Sequence, residues 1–107
     1  NRNLYRTKFA QVTPVLAEVL DVKLPDASFY LWAGVPAGWQ GDDAAFAKAL
    51  YEKEHVTVLP GSYLAREFNG VNPGRGRVRM ALVAETAECL EAAKRIARFV
   101  RQHPNKA

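Results

Sequence analysis

Apolar residues recur along this chain with two different periods, and the changes of period mark its elements. From Leu4 to Leu20, Leu4, Phe9, Val12, Leu16 and Val19 fall at near-helical spacing and predict an amphipathic helix. Pro14 sits inside that pattern without an N–H for the carbonyl four residues back, so a kink or a break is expected there. Pro25-Asp26 ends helical territory. Ser28 to Val35, reading SFYLWAGV, is aromatic and apolar at both alternating parities, the pattern of a strand covered on both faces. A turn-rich stretch, Val35 to Gly41, follows. Asp42 or Asp43 then offers a cap for a helix to about Glu54, with Phe46, Ala49 and Leu50 facing the core.

Val56 to Leu59 reads as a short strand stopped by Pro60-Gly61. A long loop comes next, punctuated by Asn69-Gly70 and Asn72-Pro73-Gly74. Arg77 to Ala84 is the next strand. Thr86 is placed to cap a last helix to about Gln102, with Leu90, Ala93, Ile96, Ala97 and Val100 as its buried stripe. Glu88 and Glu91 near its start and Arg95, Arg98 and Arg101 toward its end complement the helix dipole, and Glu91 is spaced to pair with Arg95. The last two strands lack an intervening helix and are expected to pair antiparallel. The predicted fold is α+β: a small, mostly antiparallel sheet of about three strands covered by helices.

With 107 residues the chain fits one domain, and its hydrophobic share of 49% supplies a core for it. The charge of +4 allows an anionic partner, but acids and bases alternate and no basic stripe forms, so nucleic acid is not expected. No apolar run is long enough to span a bilayer and no signal peptide appears; a cytoplasmic location is the expectation. Cys89 is alone, which excludes an intrachain disulfide and assigns it to the apolar face of a helix. His55 and His103 lack ligand spacing to each other or to Cys89, so no metal site is expected. Gly74-Arg75-Gly76 lacks the strand–glycine–helix context of a phosphate cradle and reads as a turn.

Candidate chemistry concentrates around Arg77 to Val83. The two-residue period sends Val78, Met80 and Leu82 to a core face and Arg77, Arg79, Ala81 and Val83 to the other. Arg79 thus lies beside small apolar neighbours, where its planar fork is suited to a carboxylate. From periodicity alone a structural salt bridge is the better explanation, since most strand arginines are structural or snorkelling. Arg66, Tyr63 and Asn69 in the long loop are placed to line a substrate entrance, although turn chemistry accounts for Asn69. Phe29 and Tyr30 suit a pocket wall or a core strand.

The segment VTVLPGSYLAREFNGVNPGRGRVRMALVA, Val56 to Ala84, resembles the C-terminal signature of class I/II aminotransferases of the pyridoxal-phosphate (PLP) fold type I. In that family a strand ends in Pro-Gly and a small polar residue, matched by Pro60, Gly61 and Ser62. A later strand carries an arginine before a short apolar run, matched by Arg79 before Met80-Ala81-Leu82. Asn1 to Phe9 is similar to the family's long interdomain helix, and Pro25 to Trp32 to its first small-domain strand. FYLWAGVP, VLPGSYLAR and NPGRGRVRMALVAE are most similar to the N-succinyl-diaminopimelate aminotransferases.

The resemblance implies that residues 1–107 form the C-terminal small domain of a longer enzyme, with 1–24 as the interdomain helix region. The start at Asn1, inside an amphipathic pattern, agrees with a longer protein. It implies that Arg79 binds the substrate α-carboxylate; Ser62 of the motif and Tyr63 and Arg66 of the loop complete the expected substrate-binding residues. The reaction would move an amino group between an amino acid, such as N-succinyl-diaminopimelate or glutamate, and a 2-oxo acid, in lysine and diaminopimelate biosynthesis. PLP and the catalytic residues are expected in the large domain: none of Lys8, Lys23, Lys48, Lys53, Lys94 or Lys106 sits in a matching motif, so the chain alone is expected to be inactive. A homodimer is expected at full length. The alternative reading is a stand-alone anion-binding or dimerising module.

Overall fold

The computed structural model describes residues 2–23 and 29–106, with side chains from Tyr5 onward. Four strands and four α-helices follow the order α1 (Arg2–Ala17), β1 (Asp21–Lys23), β2 (Tyr30–Gly34), α2 (Asp43–Glu54), β3 (Leu59–Pro60), α3 (Gly61–Leu64), β4 (Arg77–Ala81) and α4 (Thr86–Gln102), with one 3₁₀ turn at Ala37–Trp39. The sheet order is β1-β2-β4-β3 and every pairing is antiparallel. The α+β class and antiparallel sheet are those expected, with one more strand.

That strand, β1, lies where the sequence shows only the tail of a helix. Three residues are too few to establish a period, so Asp21–Lys23 is held by its pairing with β2 rather than announced by a pattern. The helix expected to Leu20 ends at Ala17, and residues 2–23 are therefore helix followed by strand. Pro14 does not break α1, which continues past it to Ala17. The start of the Ser28–Val35 strand, together with Pro25-Asp26, lies outside the described residues. Val56–Leu59 is a strand only from Leu59; Val56 and Val58 are buried without joining the ladder. β4 ends at Ala81 rather than Ala84, and the loop after Pro60 begins with the short helix α3.

The two helices expected from the sequence to start near Asp42 and Thr86 are close to their predicted bounds. Asp42 caps α2 by accepting from the Ala45 N–H at 3.0 Å, which satisfies one of the donors orphaned at a helix start. Thr86 is the first helical residue, and Glu85 holds the cap position without a side-chain bond. The buried face of α4 is Cys89, Ala93, Ile96, Ala97, Phe99 and Val100, while Leu90 is only half-buried. Arg95 donates to Glu91 at 3.0 Å, as its spacing predicts.

One sheet face carries the core. Leu31 and Ala33 of β2 and Val78 and Met80 of β4 pack with Val12 and Leu16 of α1, Phe46 and Leu50 of α2, and Ile96 and Phe99 of α4. Trp39, Phe46 and Phe99 meet edge-on or tilted at centroid separations of 5.3–5.8 Å, and the Trp39 indole N–H donates to the His103 carbonyl at 2.9 Å. Lys8 is buried at 3% exposure, and its ammonium donates to the Leu82 carbonyl at 3.1 Å, tying α1 to the end of β4.

A second tie joins α2 to α4. Glu54, 8% exposed, accepts from Arg98 at 2.9 Å and 2.5 Å, and its carbonyl accepts from Arg95 at 3.2 Å. The hydrogen bond from Arg98 holds the Glu54 carboxyl below its usual value of 4.5, against the opposing effect of burial. Its stabilisation is therefore fully present above pH 4.5 and is lost as pH falls through the lowered value.

Two outcomes follow for the isolated chain. Phe99→Ala is expected to cost about 3–5 kcal/mol in urea denaturation followed by tryptophan fluorescence. Glu54→Gln should lower the melting temperature at pH 7 and show a shallower acid loss below pH 4.5 than the parent; parallel acid limbs would contradict the assigned pair.

Candidate functional site

The sheet's second face is built from the other parity of the same strands. Across it run Lys23, Trp32, Arg79 and Leu59, directly opposed in that order through the register of β1, β2, β4 and β3. Tyr30 lies opposite Ala81, one pair further along. Tyr30, Trp32, Arg77 and Arg79 are half-buried, and Leu59 remains 42% exposed. This face is therefore rich in aromatic and cationic side chains, while its reverse is purely apolar. Phe29 and Val83, just beyond the paired strands, are also exposed.

Arg79 is the residue on which that face turns. Its guanidinium carbon sits 3.8 Å from the centroid of the Tyr30 ring and 6.0 Å from that of Trp32. Its Nε is shielded from water and has no hydrogen-bond partner among the described residues. Among the described residues no carboxylate pairs with it, although Glu54, Glu91, Glu18, Asp21 and Asp42 each engage another cation. A shielded donor without an acceptor costs about 1–3 kcal/mol. The arrangement leaves Arg79 competent to receive an anion, and a carboxylate matches its planar donors with two parallel bonds.

The other candidates lie where the chain turns away from β3. Pro60 and Gly61 lead into α3, and the Ser62 N–H donates to Asp43 Oδ2 at 2.8 Å. Asp43 is only 2% exposed, so this bond fixes the start of α3 against α2. Asn72 locks the far side of the loop: its amide donates to the Ser62 carbonyl at 2.8 Å, and its Oδ1 accepts from the Gly74 N–H at 2.9 Å. Asn69 and Gly70, with φ of 52° and 76°, form the tight turn between bridged Phe68 and Val71, and Gly74-Arg75-Gly76 lies in a turn. Tyr63, at 74% exposure, and Arg66 both project from this segment. No hydrogen bond or ion pair among the described residues joins Ser62, Tyr63 or Arg66 to Arg79.

Gly61 and Gly74 lie back to back, which brings α3 against the turn that precedes β4. A Cβ on Gly61 would strike the carbonyl oxygens of Gly74 and Arg77, and a Cβ on Gly74 would strike that of Gly61. Both are backbone atoms, so no side chain can swing aside. The Pro-Gly after β3 thus has a packing reason of its own.

Cys89 is not part of this face. Burial pushes its thiol up from the ordinary value, and its Sγ lies 3.5 Å from the Ala84 carbonyl, consistent with a small core side chain. A cleft of about 460 Å³ beside it is lined by Val56, Met80, Ala84, Ala92 and their neighbours. Among the described residues no three His, Cys, Asp or Glu side chains are grouped to hold a metal ion, and no helix is long and apolar enough to cross a membrane.

The model of the family described as "Aminotransferase class I and II" matches residues 1–96. The chain belongs to that family. An LL-diaminopimelate aminotransferase of Nitratidesulfovibrio vulgaris is 39% identical over 98 residues, covering 90% of this chain and 23% of that protein. Among solved structures, an aminotransferase from Neisseria meningitidis superposes with a TM-score of 0.83 at 53% identity, over 92% of this chain and 24% of its own. A probable N-succinyldiaminopimelate aminotransferase from Thermus thermophilus gives 0.70 at 38% identity, over 89% and 23%. This chain thus spans about a quarter of the length of the aminotransferases it matches.

Family membership implies PLP, and the residues present here do not fit as its holders. Lys8 is buried on a backbone carbonyl, Lys23 lies 3.8 Å from Asp21, and Lys106 pairs with Asp42. Lys48, Lys53 and Lys94 are exposed on helices α2 and α4. The exposed lysines lack an enclosing pocket and none of the six lines the cleft beside Cys89, so no amine is placed for a Schiff base to this cofactor.

Gly61→Ala is expected to destabilise the chain by about 1–3 kcal/mol through the backbone collision, read as a lowered melting temperature. A neutral result would remove the close approach of Gly61 and Gly74 as a constraint on the loop.

Proposed function

We propose that this chain is the C-terminal small domain of a PLP-dependent aminotransferase and that Arg79 receives the α-carboxylate of its amino-acid and 2-oxo-acid substrates. The observation that carries this reading is Arg79 itself: stacked on Tyr30, shielded at Nε and met by no carboxylate among the described residues, on the sheet face opposite the core. Family membership over residues 1–96 supplies the reaction class. PLP, when bound in the remaining three quarters of the protein, supplies the electron sink.

The part played by this chain is positioning. Two parallel bonds from one guanidinium fix both the place and the plane of a carboxylate. The substituents on the adjacent Cα are then fixed as well, and its C–H bond is turned toward the base that removes the proton. Orientation of this kind can supply several kcal/mol of barrier reduction. The apolar and aromatic surroundings strengthen the contact by excluding water from one side of it.

For the substrate, the proposal takes a diaminopimelate derivative, N-succinylated or free, with glutamate and 2-oxoglutarate as the partner pair in lysine and diaminopimelate biosynthesis. It is supported by the names of the similar proteins, LL-diaminopimelate aminotransferase and probable N-succinyldiaminopimelate aminotransferase. Ser62, Tyr63 and Arg66 belong to the entrance in this reading, with Arg66 available to a second carboxylate. In this reading the half-buried aromatic face is the surface that the large domain covers, and the full-length enzyme is a cytoplasmic homodimer.

In the full-length protein with PLP supplied, Arg79→Lys is expected to raise the amino-acid KM and lower kcat/KM by about 10- to 100-fold, because lysine keeps the charge and loses the fork. Unchanged kinetics would remove Arg79 from the site. An amino-donor screen with the parent enzyme decides between N-succinyl-diaminopimelate and LL-diaminopimelate.

A further inference from the structure

We infer that Tyr30 is a positioning residue for carboxylate recognition: its ring is the platform that holds the Arg79 guanidinium in the plane in which the donors are offered. The inference rests on Arg79 being the carboxylate receptor and adds how that receptor is kept ready.

The geometry separates stacking from hydrogen bonding. A guanidinium carbon 3.8 Å over a ring centroid lies against the negative face of the ring, which attracts the cation. The N–H donors of arginine lie in the guanidinium plane and point outward at its edges. A ring against the flat face therefore takes no donor away. An ion pair with Asp or Glu would hold the side chain equally firmly but would occupy those edges. Nε lies at one edge, shielded and without a partner among the described residues, so the two terminal nitrogens are the donors offered to a carboxylate.

The register explains why Tyr30 can lie under Arg79. Tyr30 is opposite Ala81, not Arg79, and so meets the arginine diagonally across β2 and β4. Ala81 is small and leaves the room into which the phenol ring leans. Trp32, directly opposite Arg79 with its ring 6.0 Å from the guanidinium carbon, closes off the next site along β2. Tyr30 is braced in turn. Phe29 packs on it at a centroid distance of 4.5 Å, and Tyr5 of α1 meets Phe29 at 5.8 Å. A series of rings thus runs from α1 to the arginine. Because arginine has many rotamers, a platform that selects one removes part of the ordering cost that a substrate would otherwise meet.

The test uses the full-length protein and glutarate, a dicarboxylate that cannot react, titrated by calorimetry into the parent and four variants. Tyr30→Leu is expected to weaken glutarate about tenfold, and Tyr30→Phe to restore affinity to within about threefold of the parent. Pentafluorophenylalanine at position 30 keeps the ring's shape and reverses its face charge; it is expected to behave like the leucine variant. It also decides the matter should Tyr30→Leu fail to fold. In steady-state assays the Tyr30→Leu effect should appear in the KM of both substrates with kcat nearly unchanged, whereas a merely structural role would lower the melting temperature without that split. Parent-like affinity in the leucine and fluorinated variants overturns the inference while leaving Arg79 in place, provided Arg79→Ala abolishes glutarate binding. Parent-like binding by Arg79→Ala overturns the carboxylate reading and the role of Tyr30 with it.

Discussion

A cation set against aromatic rings, with no acid among the described residues to meet its donors, is the interaction on which the sheet face opposite the core depends. Arg79 faces Trp32 across the β2–β4 pair and rests on Tyr30 diagonally, and no carboxylate among the described residues competes for it. Three other arginines are used otherwise: Arg95, Arg98 and Arg101 each hold an acid. The contrast matters because a charge shielded from water is expensive unless paired. A fold that leaves one without an acid among the described residues, yet supports it with aromatic rings, is suited to receive an anion.

The rest of the architecture keeps β4 where that site needs it. Its core parity, Val78 and Met80, is clamped under α1, α2 and α4, so its other parity cannot rotate. Lys8 pins the chain just after β4 to α1 through the Leu82 carbonyl. Just before β4, the contact of Gly61 with Gly74 and the Asn72 hydrogen bonds hold the incoming loop against α3. The strand is thus fixed at both ends and beneath, and only the face bearing Arg79 is open.

How much of this was legible in the sequence depended on whether local pattern or distant pairing decided the outcome. α4 was readable because its apolar stripe, its charge polarity and the Glu91–Arg95 spacing all act within the helix. The parity of β4 was readable for the same reason, and it placed Arg79 on the non-core side in advance. β1 was not readable, since three residues pair with β2 only once that strand is in place. Nor was the retreat of Val56 and Val58 from the ladder, which leaves β3 two residues long. The bed beneath Arg79 was half visible: Tyr30 was a candidate wall, but the period-two rule that sends Tyr30 and Trp32 to one side could have paired both with Arg79 had the register been known. Ser62 was singled out through its motif, and the structure uses its backbone N–H to anchor α3 on Asp43.

The claim at the centre is that Arg79 is kept free for a substrate acid. A crystal structure of the full-length protein with PLP and a bound dicarboxylate tests it most directly. The account predicts one carboxylate lying in the guanidinium plane of Arg79, with two parallel bonds and Tyr30 still stacked beneath. An aspartate or glutamate from the remainder of the protein paired to Arg79, with the ligand held elsewhere, would contradict it.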